Sequence, residues 1–329
     1  MTGRRAAGAG LFAAVITFAA AAPLLTPHPP VHQFAGFENA PPMPPRIVAG
    51  GQLTRPFIYP LVLVDRLERR YAEDRTRPVP ILWFAGGVLA SVPAESGPWL
   101  PLGADPVGRD VFSRLAYGSR LSLAVALLGS VGALGLGVLV GGTAGLRGGR
   151  VDTVLMTLAD FVLILPAIYV VLAFRAALPL VLSSAEVFWA LVVVFTLAGW
   201  PVAARGVRGI TAAERRKEYA EAAYAAGGTP WRILQRHLLP AAYPFLALTG
   251  TMMVPAFVLA EATVSLVGLG FPVPTATWGA MLRDAWQGSA LVDAPWLLAP
   301  AAMIVATTLA LQLVGSGRPE SPDRRGTFS

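Results

Sequence analysis

Long apolar runs alternate with short arginine-bearing stretches along most of the chain. Several of these runs exceed the roughly 18 to 20 residues that a helix needs to cross a bilayer. Six spans are predicted, over about residues 6–25, 121–146, 151–180, 187–204, 243–270 and 296–314. Pro166 predicts a kink within the third span. The pattern therefore predicts an all-α polytopic membrane protein with six transmembrane helices.

The basic residues predict the orientation of these spans. Arg4 and Arg5 precede the first apolar run, which favours a cytoplasmic N-terminus. A cleavable signal peptide has a similar basic start, but an uncleaved span is favoured because the rest of the chain is itself membrane-embedded. Arg147 and Arg150 predict a cytoplasmic turn, and a further six arginines and the only lysine lie at 205–240, which predicts a second cytoplasmic segment. Both termini are therefore expected in the cytoplasm.

The spacing of the spans divides the chain into segments. Residues 1–27 form the first helix, 119–315 a five-helix core, 211–240 a cytoplasmic elbow within that core, and 316–329 a disordered tail. The proline-rich segment 28–118 is expected outside the cytoplasm, since long loops cross largely regardless of charge. Within it, 61–74 predicts a short amphipathic helix. Residues 101–122 predict a tight turn entering an interfacial helix, with a binding role as the alternative.

Three features inside the spans stand out. Gly137, Gly141 and Gly145 recur every four residues, which predicts close helix packing in lipid rather than a dinucleotide fingerprint. Asp160 lies about 15 Å along a helix from the nearest cytoplasmic arginine, a costly depth for a carboxylate. Asp160, together with Glu261 and Ser265 of the fifth span, is a candidate for the translocation path. A structural partnership with a neighbouring helix is the alternative for Asp160.

The elbow between the fourth and fifth spans reads as a helix, a glycine turn and a second helix. Thr211 and Glu214 predict a capping box for the first helix. Gly227-Gly228 predicts its end, and Thr229-Pro230 predicts an N-cap with proline at the first helical position. Pro240 is expected to close the elbow. This soluble segment between membrane spans needs a functional explanation.

Composition removes several classes of function. The chain is 55% hydrophobic and 14% charged, and its net charge of +7 reflects positive-inside loops rather than nucleic-acid binding. It has no cysteine, and its only lysine, Lys217, lies in no phosphate-binding glycine loop. His28 and His32 are separated by two prolines, which disfavours a metal site. No catalytic residues and no metal ligands are assigned. A polytopic membrane protein without a catalytic site is expected to move a solute, and this transport must be driven by an ion gradient or by a separate motor subunit.

The elbow decides between those two. Its sequence resembles the EAA motif of bacterial ABC importer permeases at Glu221-Ala222-Ala223, Gly227 and Leu239-Pro240, with His237 in place of the usual isoleucine. The stretches LGADPVGRDVFSRLAYGSRLSL and EATVSLVGLGFPVPTATWGAML are also similar to the second permease of dipeptide and oligopeptide importers. The likeness extends over about residues 101–314. It implies a type I ABC importer permease fold with an external segment between helices 1 and 2.

The resemblance also implies roles and partners. In this family the elbow docks into a separate ATPase subunit, with Trp231, Ile233 and Leu234 as expected apolar anchors. The residues expected to couple to the ATPase are Glu221, Ala222, Ala223, Gly227, Trp231, Arg232, Leu239 and Pro240. Expected partners are a homologous permease in a heterodimer, two ATPase subunits, an extracytoplasmic substrate-binding protein and the lipid bilayer. This chain is expected to hold no cofactor, because ATP and Mg bind the ATPase subunits.

Peptides are the favoured substrates, although members of this family also carry nickel chelates, opines and glycosides. The expected location is a bacterial or archaeal plasma or inner membrane. An ion-coupled secondary transporter is the alternative from another class, but no inverted repeat with interrupted helices is visible in the sequence. A membrane-bound enzyme is less favoured still, since no nucleophile or metal cluster is apparent.

Overall fold

The computed structural model describes residues 3–49, 51–165, 169, 173, 179, 182–286 and 293–316. Its helices of α type are α1 Gly3–Ala20, α2 Ala22–Leu25, α3 Val111–Arg147, α4 Gly149–Ile164, α5 Ser184–Glu214, α6 Glu218–Ala225, α7 Pro230–Ile233, α8 Tyr243–Leu266, α9 Trp278–Trp286 and α10 Ala299–Gly315. The predicted kink at Pro166, the rest of the third span and the tail from 317 lie outside the described residues.

Four helical stretches in the described part of the chain are long and apolar enough to cross a membrane. They are Val111–Arg147, Ser184–Glu214, Pro230–Leu266 and Pro295–Gly315. α1 packs lengthwise along α10, where Gly8 lies so close that an added Cβ would be 2.6 Å from the Ala310 carbonyl oxygen. The helix that contains the fourth predicted span is longer than that span. Its helix runs on to Glu214 with Pro201 inside it, and the Ser183–Glu186 capping box starts it.

The predicted glycine packing is confirmed between α3 and α5. A Cβ on Gly137 would lie 2.4 Å from the Ala203 Cβ, and one on Gly141 would lie 2.2 Å from the Ala204 carbonyl oxygen. At Gly145 the Arg208 carbonyl oxygen would be 2.7 Å away. These distances leave no room for a side chain, so the glycines bring the two backbones into direct contact.

The all-α prediction is wrong for residues 46–91, which form short antiparallel strands. They are β1 Arg46–Ala49, β2 Gln52–Ile58, β3 Leu61–Asp65, β4 Arg70–Glu73, β5 Val79–Pro80, β6 Leu82–Trp83 and β7 Ala90–Ser91. β2 pairs with β1 and β5, β3 pairs with β4, and β6 pairs with β7. We call residues 28–104 the β segment.

The amphipathic helix predicted at 61–74 is instead the β3–β4 hairpin, in which Leu63 pairs with Tyr71. Leu61 is buried and Val62 exposed, so the local pattern has period two rather than 3.6. The turn is fixed by Asp65, whose carboxylate accepts hydrogen bonds from the Leu67 and Glu68 amides. Valines prefer this extended backbone, which favours strands over the predicted helix.

The β segment has its own core, built on Ile58, Val79 and Trp99. The Trp99 indole N–H donates to the Met43 carbonyl oxygen at 3.0 Å, which ties the proline-rich stretch to the strands. This proline-rich stretch therefore contributes buried side chains, such as Met43, to the core. A backbone hydrogen bond of 2.7 Å from Leu89 to Leu24 joins the segment to the end of α2.

The interfacial helix predicted at 101–122 is also wrong. α3 begins at Val111, is N-capped by the Asp110 carboxylate, and continues unbroken to Arg147. The predicted boundary at residue 118 therefore falls inside a helix. Arginines on separate faces suggested a surface helix, but Arg109 and Arg114 are almost fully buried and ion-paired.

Candidate functional site

The elbow folds as its turn residues predict. α6 ends at Ala225, and Gly227 follows with φ +78°, a conformation that glycine adopts at low cost. α7 then begins at Pro230, with the Thr229 hydroxyl accepting from the Arg232 amide at 3.4 Å. The glycine stop and the threonine–proline start are confirmed. They produce a compact corner between two short helices.

The ends of the elbow differ from prediction. Thr211 and Glu214 form no capping box, because both lie in the last turn of α5 and Thr211 is fully buried. α6 instead starts after Lys217 without a side-chain cap. Pro240 does not end the helical path either. A π-helical turn at Leu234–Leu238 and a 3₁₀ turn at Leu239–Ala242 connect α7 directly to α8.

The elbow is held by an apolar cluster on the chain's own core. Ile233, Leu234 and Leu238 are almost fully buried against Ala220 and against Leu146 at the end of α3. Ile233 and Leu234 are therefore not available as docking anchors, contrary to prediction. Their burial fixes the corner to the cytoplasmic end of the helix pair that the glycines hold together.

The other face of the elbow is open. Glu221, Ala222, Gly227, Trp231 and Arg232 are exposed, Trp231 to 49%. No ion pair involves the two charged members of this set within the described residues. A Cβ added at Gly227 would meet nothing within 4 Å. We call these five residues the open face; it combines an aromatic side chain, small residues and both signs of charge.

The other predicted coupling residues are less accessible. Ala223 and Leu239 are half-buried against the cluster, and Pro240 is exposed beside it. His237, where the chain departs from the EAA motif, is exposed in the π-helical turn. The fold buries no side chain at this position, so it accommodates histidine as readily as isoleucine.

A polar contact precedes the open face. The Tyr219 hydroxyl donates to the Glu214 carboxylate at 2.5 Å, and the Lys217 ammonium pairs with the same carboxylate at 2.7 Å. The hydrogen bond to an ionised acceptor raises the pKa of Tyr219 to about 12. Tyr219 therefore stays protonated and braces the start of α6 against the end of α5.

Asp160 contacts Arg205 across the α4–α5 interface, and both side chains are half exposed. Nearer the predicted cytoplasmic end, Arg208 pairs in the same way with Asp152, its guanidinium Nε lying 2.8 Å from the carboxylate. Two acidic residues of α4 thus meet two arginines of α5. The arrangement matches the structural partnership that was the alternative reading of Asp160.

Glu261 and Ser265 have no exposed surface. The Glu261 carboxylate accepts from Ser265 at 2.8 Å and from Ser122 of α3 at 3.0 Å. Ser122 in turn accepts from the Trp278 amide at 3.1 Å, at the start of α9. Glu261 therefore joins α3 and α8 to the short helix that follows them.

A buried charge cluster was not predicted as a unit. Asp284 of α9 accepts from Arg109 at 2.8 Å and from Arg114 at 3.0 Å, and Asp105 pairs with Arg109 at 2.6 Å. The tight turn predicted from Asp105 and its neighbours is confirmed, since its carboxylate also accepts from the Val107 and Arg109 amides. The pairing of Arg109 and Arg114 with Asp284 joins residues at least 170 positions apart, and no local pattern in the sequence signals it.

An apolar cavity of about 620 Å³ lies between α4, α5 and α8. Its lining includes Val162, Leu165, Val202, Phe245, Met252 and Phe257. On the α4 side its lining begins at Val162, two residues after Asp160. Among the described residues no cluster of three or more His, Asp or Glu side chains is placed to hold a metal ion.

These features are those of an integral membrane transport subunit. Residues 133–317 match the sequence profile of the binding-protein-dependent transport system inner membrane component, which covers the helical core and the elbow. The chain belongs to this family and is the permease subunit of an ABC importer, a multi-pass membrane protein that works with ATPase and substrate-binding partners.

The chain is 34% identical to the oligopeptide transport system permease protein OppC of Bacillus subtilis, over 71% of this chain and 74% of that protein. It is 32% identical to the dipeptide transport system permease protein DppC of the same organism, over 71% of this chain and 70% of that protein. A chain of the inward-facing MetNI methionine ABC transporter overlaps 61% of this chain and 92% of its own length, with 21% identity and a TM-score of 0.49.

Proposed function

We propose that this permease imports dipeptides or oligopeptides and is driven through its elbow by separate ATPase subunits. The observation that carries the proposal is the open face, which displays Glu221, Ala222 and Trp231 on a corner whose opposite side is anchored in the chain's core. A surface that is both exposed and rigidly attached to two spans transmits force in either direction. The names of the relatives favour peptides over nickel chelates, opines or glycosides.

The proposed topology has six spans: α1, α3, α4, α5, α8 and α10. The four helices that are long and apolar enough support four of them, and the packing of α1 along α10 supports a fifth. Arginines at the start of α1 and around the elbow support a cytoplasmic location for both. The β segment then lies outside, and both termini lie inside, in a bacterial or archaeal inner membrane.

The proposed cycle is alternating access. An external binding protein delivers the peptide to a heterodimer of this chain and a homologous permease. Two ATPase subunits close on ATP and Mg, which they hold themselves, and push the elbows. Because the elbow is packed on Leu146 of α3 and runs directly into α8, its displacement rotates those spans. Hydrolysis resets the inward-facing state, and this chain performs no chemistry.

The path itself is proposed to run along the apolar cavity, whose α4 lining begins two residues after Asp160. Weak, non-directional contacts with an apolar wall suit substrates of varied side chains. Unchanged uptake and substrate range in Asp160→Asn would limit that residue to its contact with Arg205. The buried contacts of Glu261 and Ser265 favour a role in holding α9 rather than touching substrate.

The test compares two glutamates in the first turn of α6, Glu221 of the open face and Glu218 outside the motif. In liposomes containing the complete transporter, Glu221→Lys should lower peptide uptake and ATPase stimulation at least about tenfold, equivalent to about 1.4 kcal/mol of lost coupling. Glu218→Lys should retain both activities, because it makes the same charge change on an exposed site of the same helix. Normal uptake in Glu221→Lys would overturn the proposal.

Ion-coupled secondary transport, the alternative class, is excluded by membership in the binding-protein-dependent family. Within that family, the substrate is the remaining choice. Binding of peptides by the partner binding protein distinguishes peptides from the other candidate substrates.

A further inference from the structure

The β6–β7 hairpin exposes aromatic side chains, whereas the other large exposed apolar side chains of the described β segment are aliphatic. Ile81 and Ala90 anchor it in the segment's core, but Trp83 and Phe84 are 54% and 74% exposed. The Phe84 amide donates to the Leu89 carbonyl oxygen at 3.0 Å, which closes the turn that presents these aromatic side chains. Two adjacent exposed aromatic residues on an ordered turn indicate a surface that something covers.

The hairpin lies beside the end of the first membrane helix. The Leu89 amide donates to the Leu24 carbonyl oxygen at 2.7 Å, and Leu24 is itself 47% exposed. Phe18 of α1 also contacts Phe112 near the start of α3, with ring centroids 5.9 Å apart. In the proposed topology, in which α1 crosses the membrane, the hairpin therefore lies beside the outer end of α1.

The composition of the hairpin fits this position. No charged residue occurs between Arg77 and Glu95, whereas the neighbouring β3–β4 turn reads Asp-Arg-Leu-Glu-Arg. Tryptophan is enriched at membrane–water interfaces, where its apolar ring enters the lipid and its N–H stays near the headgroups. A charged protein partner would be matched by charges on the hairpin, and the sequence supplies none.

We propose that the β6–β7 hairpin, through Leu82, Trp83 and Phe84, inserts into the headgroup and upper acyl region of the outer leaflet. The occupant of this surface is phospholipid. The hairpin then acts as a fixed contact between the β segment and the membrane, beside α1 rather than through it. The proposal rests on the proposed topology, which makes α1 a membrane span and assigns the hairpin to the outer leaflet.

The experiment exploits the absence of cysteine from the chain. Phe84→Cys is labelled with the fluorophore NBD in the complete transporter, reconstituted into phosphatidylcholine–phosphatidylglycerol liposomes. Leu67→Cys is the matched control, since Leu67 is 97% exposed at the β3–β4 turn of the same segment. Quenching is measured with nitroxide-labelled phosphatidylcholine and with aqueous iodide. Trp83→Cys is a second labelling site in case the Phe84 variant does not assemble.

The nitroxide lipid should quench the probe at position 84. Iodide should quench that probe at most about half as strongly as the probe at position 67, because groups at the headgroup boundary are shielded from water. Equal iodide quenching at both sites overturns the proposal. Protection from iodide without lipid quenching also overturns it, because a protein then covers the hairpin. Reaction of Leu67→Cys with an impermeant maleimide in intact cells separately tests the outside location, so a failure there is distinguishable from a failure of lipid contact.

Discussion

At the scale of single residues, Gly227 has the clearest requirement. Its φ of +78° lies in the left-handed region, while its Cβ direction points into open space. A side chain added at Gly227 strains the backbone but meets no neighbouring atom. A substitution therefore tests the conformation of the corner without changing its packing. This separates the shape of the open face from its chemistry.

Gly227→Val should misplace the open face and reduce peptide uptake, because a β-branched residue in this conformation costs about 1–2 kcal/mol or more. Gly227→Asn is the control, since asparagine tolerates the left-handed region and should retain most uptake. Uptake by reconstituted transporter measures both variants. Equal activity of the valine and asparagine variants would show that the turn geometry is not needed.

Asp110 is the residue from which a pH dependence is expected. Burial raises its pKa from 3.8 to about 7, even though the Ser113 hydroxyl and two backbone amides favour its ionised form. A raised pKa in the folded state gives stability that is present below pH 3.8 and is lost as the pH rises through about 7. At about 1.4 kcal/mol per pKa unit, the change is at most about 4 kcal/mol.

Thermal unfolding of the solubilised permease between pH 4 and 7.5 should therefore show stability that falls with increasing pH. Asp110→Asn should flatten that slope. Asp65→Asn, at an exposed turn, should leave the slope unchanged. If the stability of the wild-type protein depended on pH as little as that of Asp110→Asn, Asp110 would not be the source of the pH dependence.

At the scale of elements, the long helices and the elbow were predictable and the β segment was not. Spans and turns are determined by local sequence: the spans by apolar runs, and the turns by residues such as Gly227, Thr229 and Pro230. The β3–β4 hairpin depends on cross-strand pairing between Leu63 and Tyr71, which a local helix reading does not see. The predicted amphipathic helix was overridden by this tertiary pairing.

The site divides in the same way. The corner of the elbow followed from its own residues, whereas the burial of Ile233 and Leu234 depended on α3, far away in the sequence. The charge cluster around Asp284 likewise joins residues more than a hundred positions apart. Such long-range partners leave no periodic signal, so sequence reasoning placed Arg109 and Arg114 on a surface that the fold buries.

The α3–α5 contact gives a prediction at this scale. Gly141→Leu should destabilise the permease by about 1–3 kcal/mol through overpacking, since Ala204 leaves no space for a side chain. Gly135→Leu on the same helix is the control, because its Cβ would meet nothing within 4 Å. Thermal unfolding in detergent compares the two. Similar stabilities would show that the helices do not pack as described.

At the scale of the whole molecule, two rigid attachments lie at opposite ends of the helices. On the proposed cytoplasmic side, the elbow is packed on the end of α3 and continues into α8. On the other side, the ion pairs of Asp284 hold α9 against the start of α3. The hydrogen bond between Glu261 and Ser122 holds α8 against α3. Force applied at the elbow is thus carried by helices whose far ends are fixed to the β segment and α9.

The central claim, that the open face contacts the ATPase, is tested most directly by cross-linking. Ala222→Cys, in a chain that otherwise has no cysteine, is treated with a short thiol-to-amine cross-linker in membranes that contain the complete transporter. Leu67→Cys in the β segment is the control. The account predicts a cross-linked product with the ATPase subunit from position 222 and none from position 67. No ATPase product from position 222, in a transporter that remains active, would contradict it.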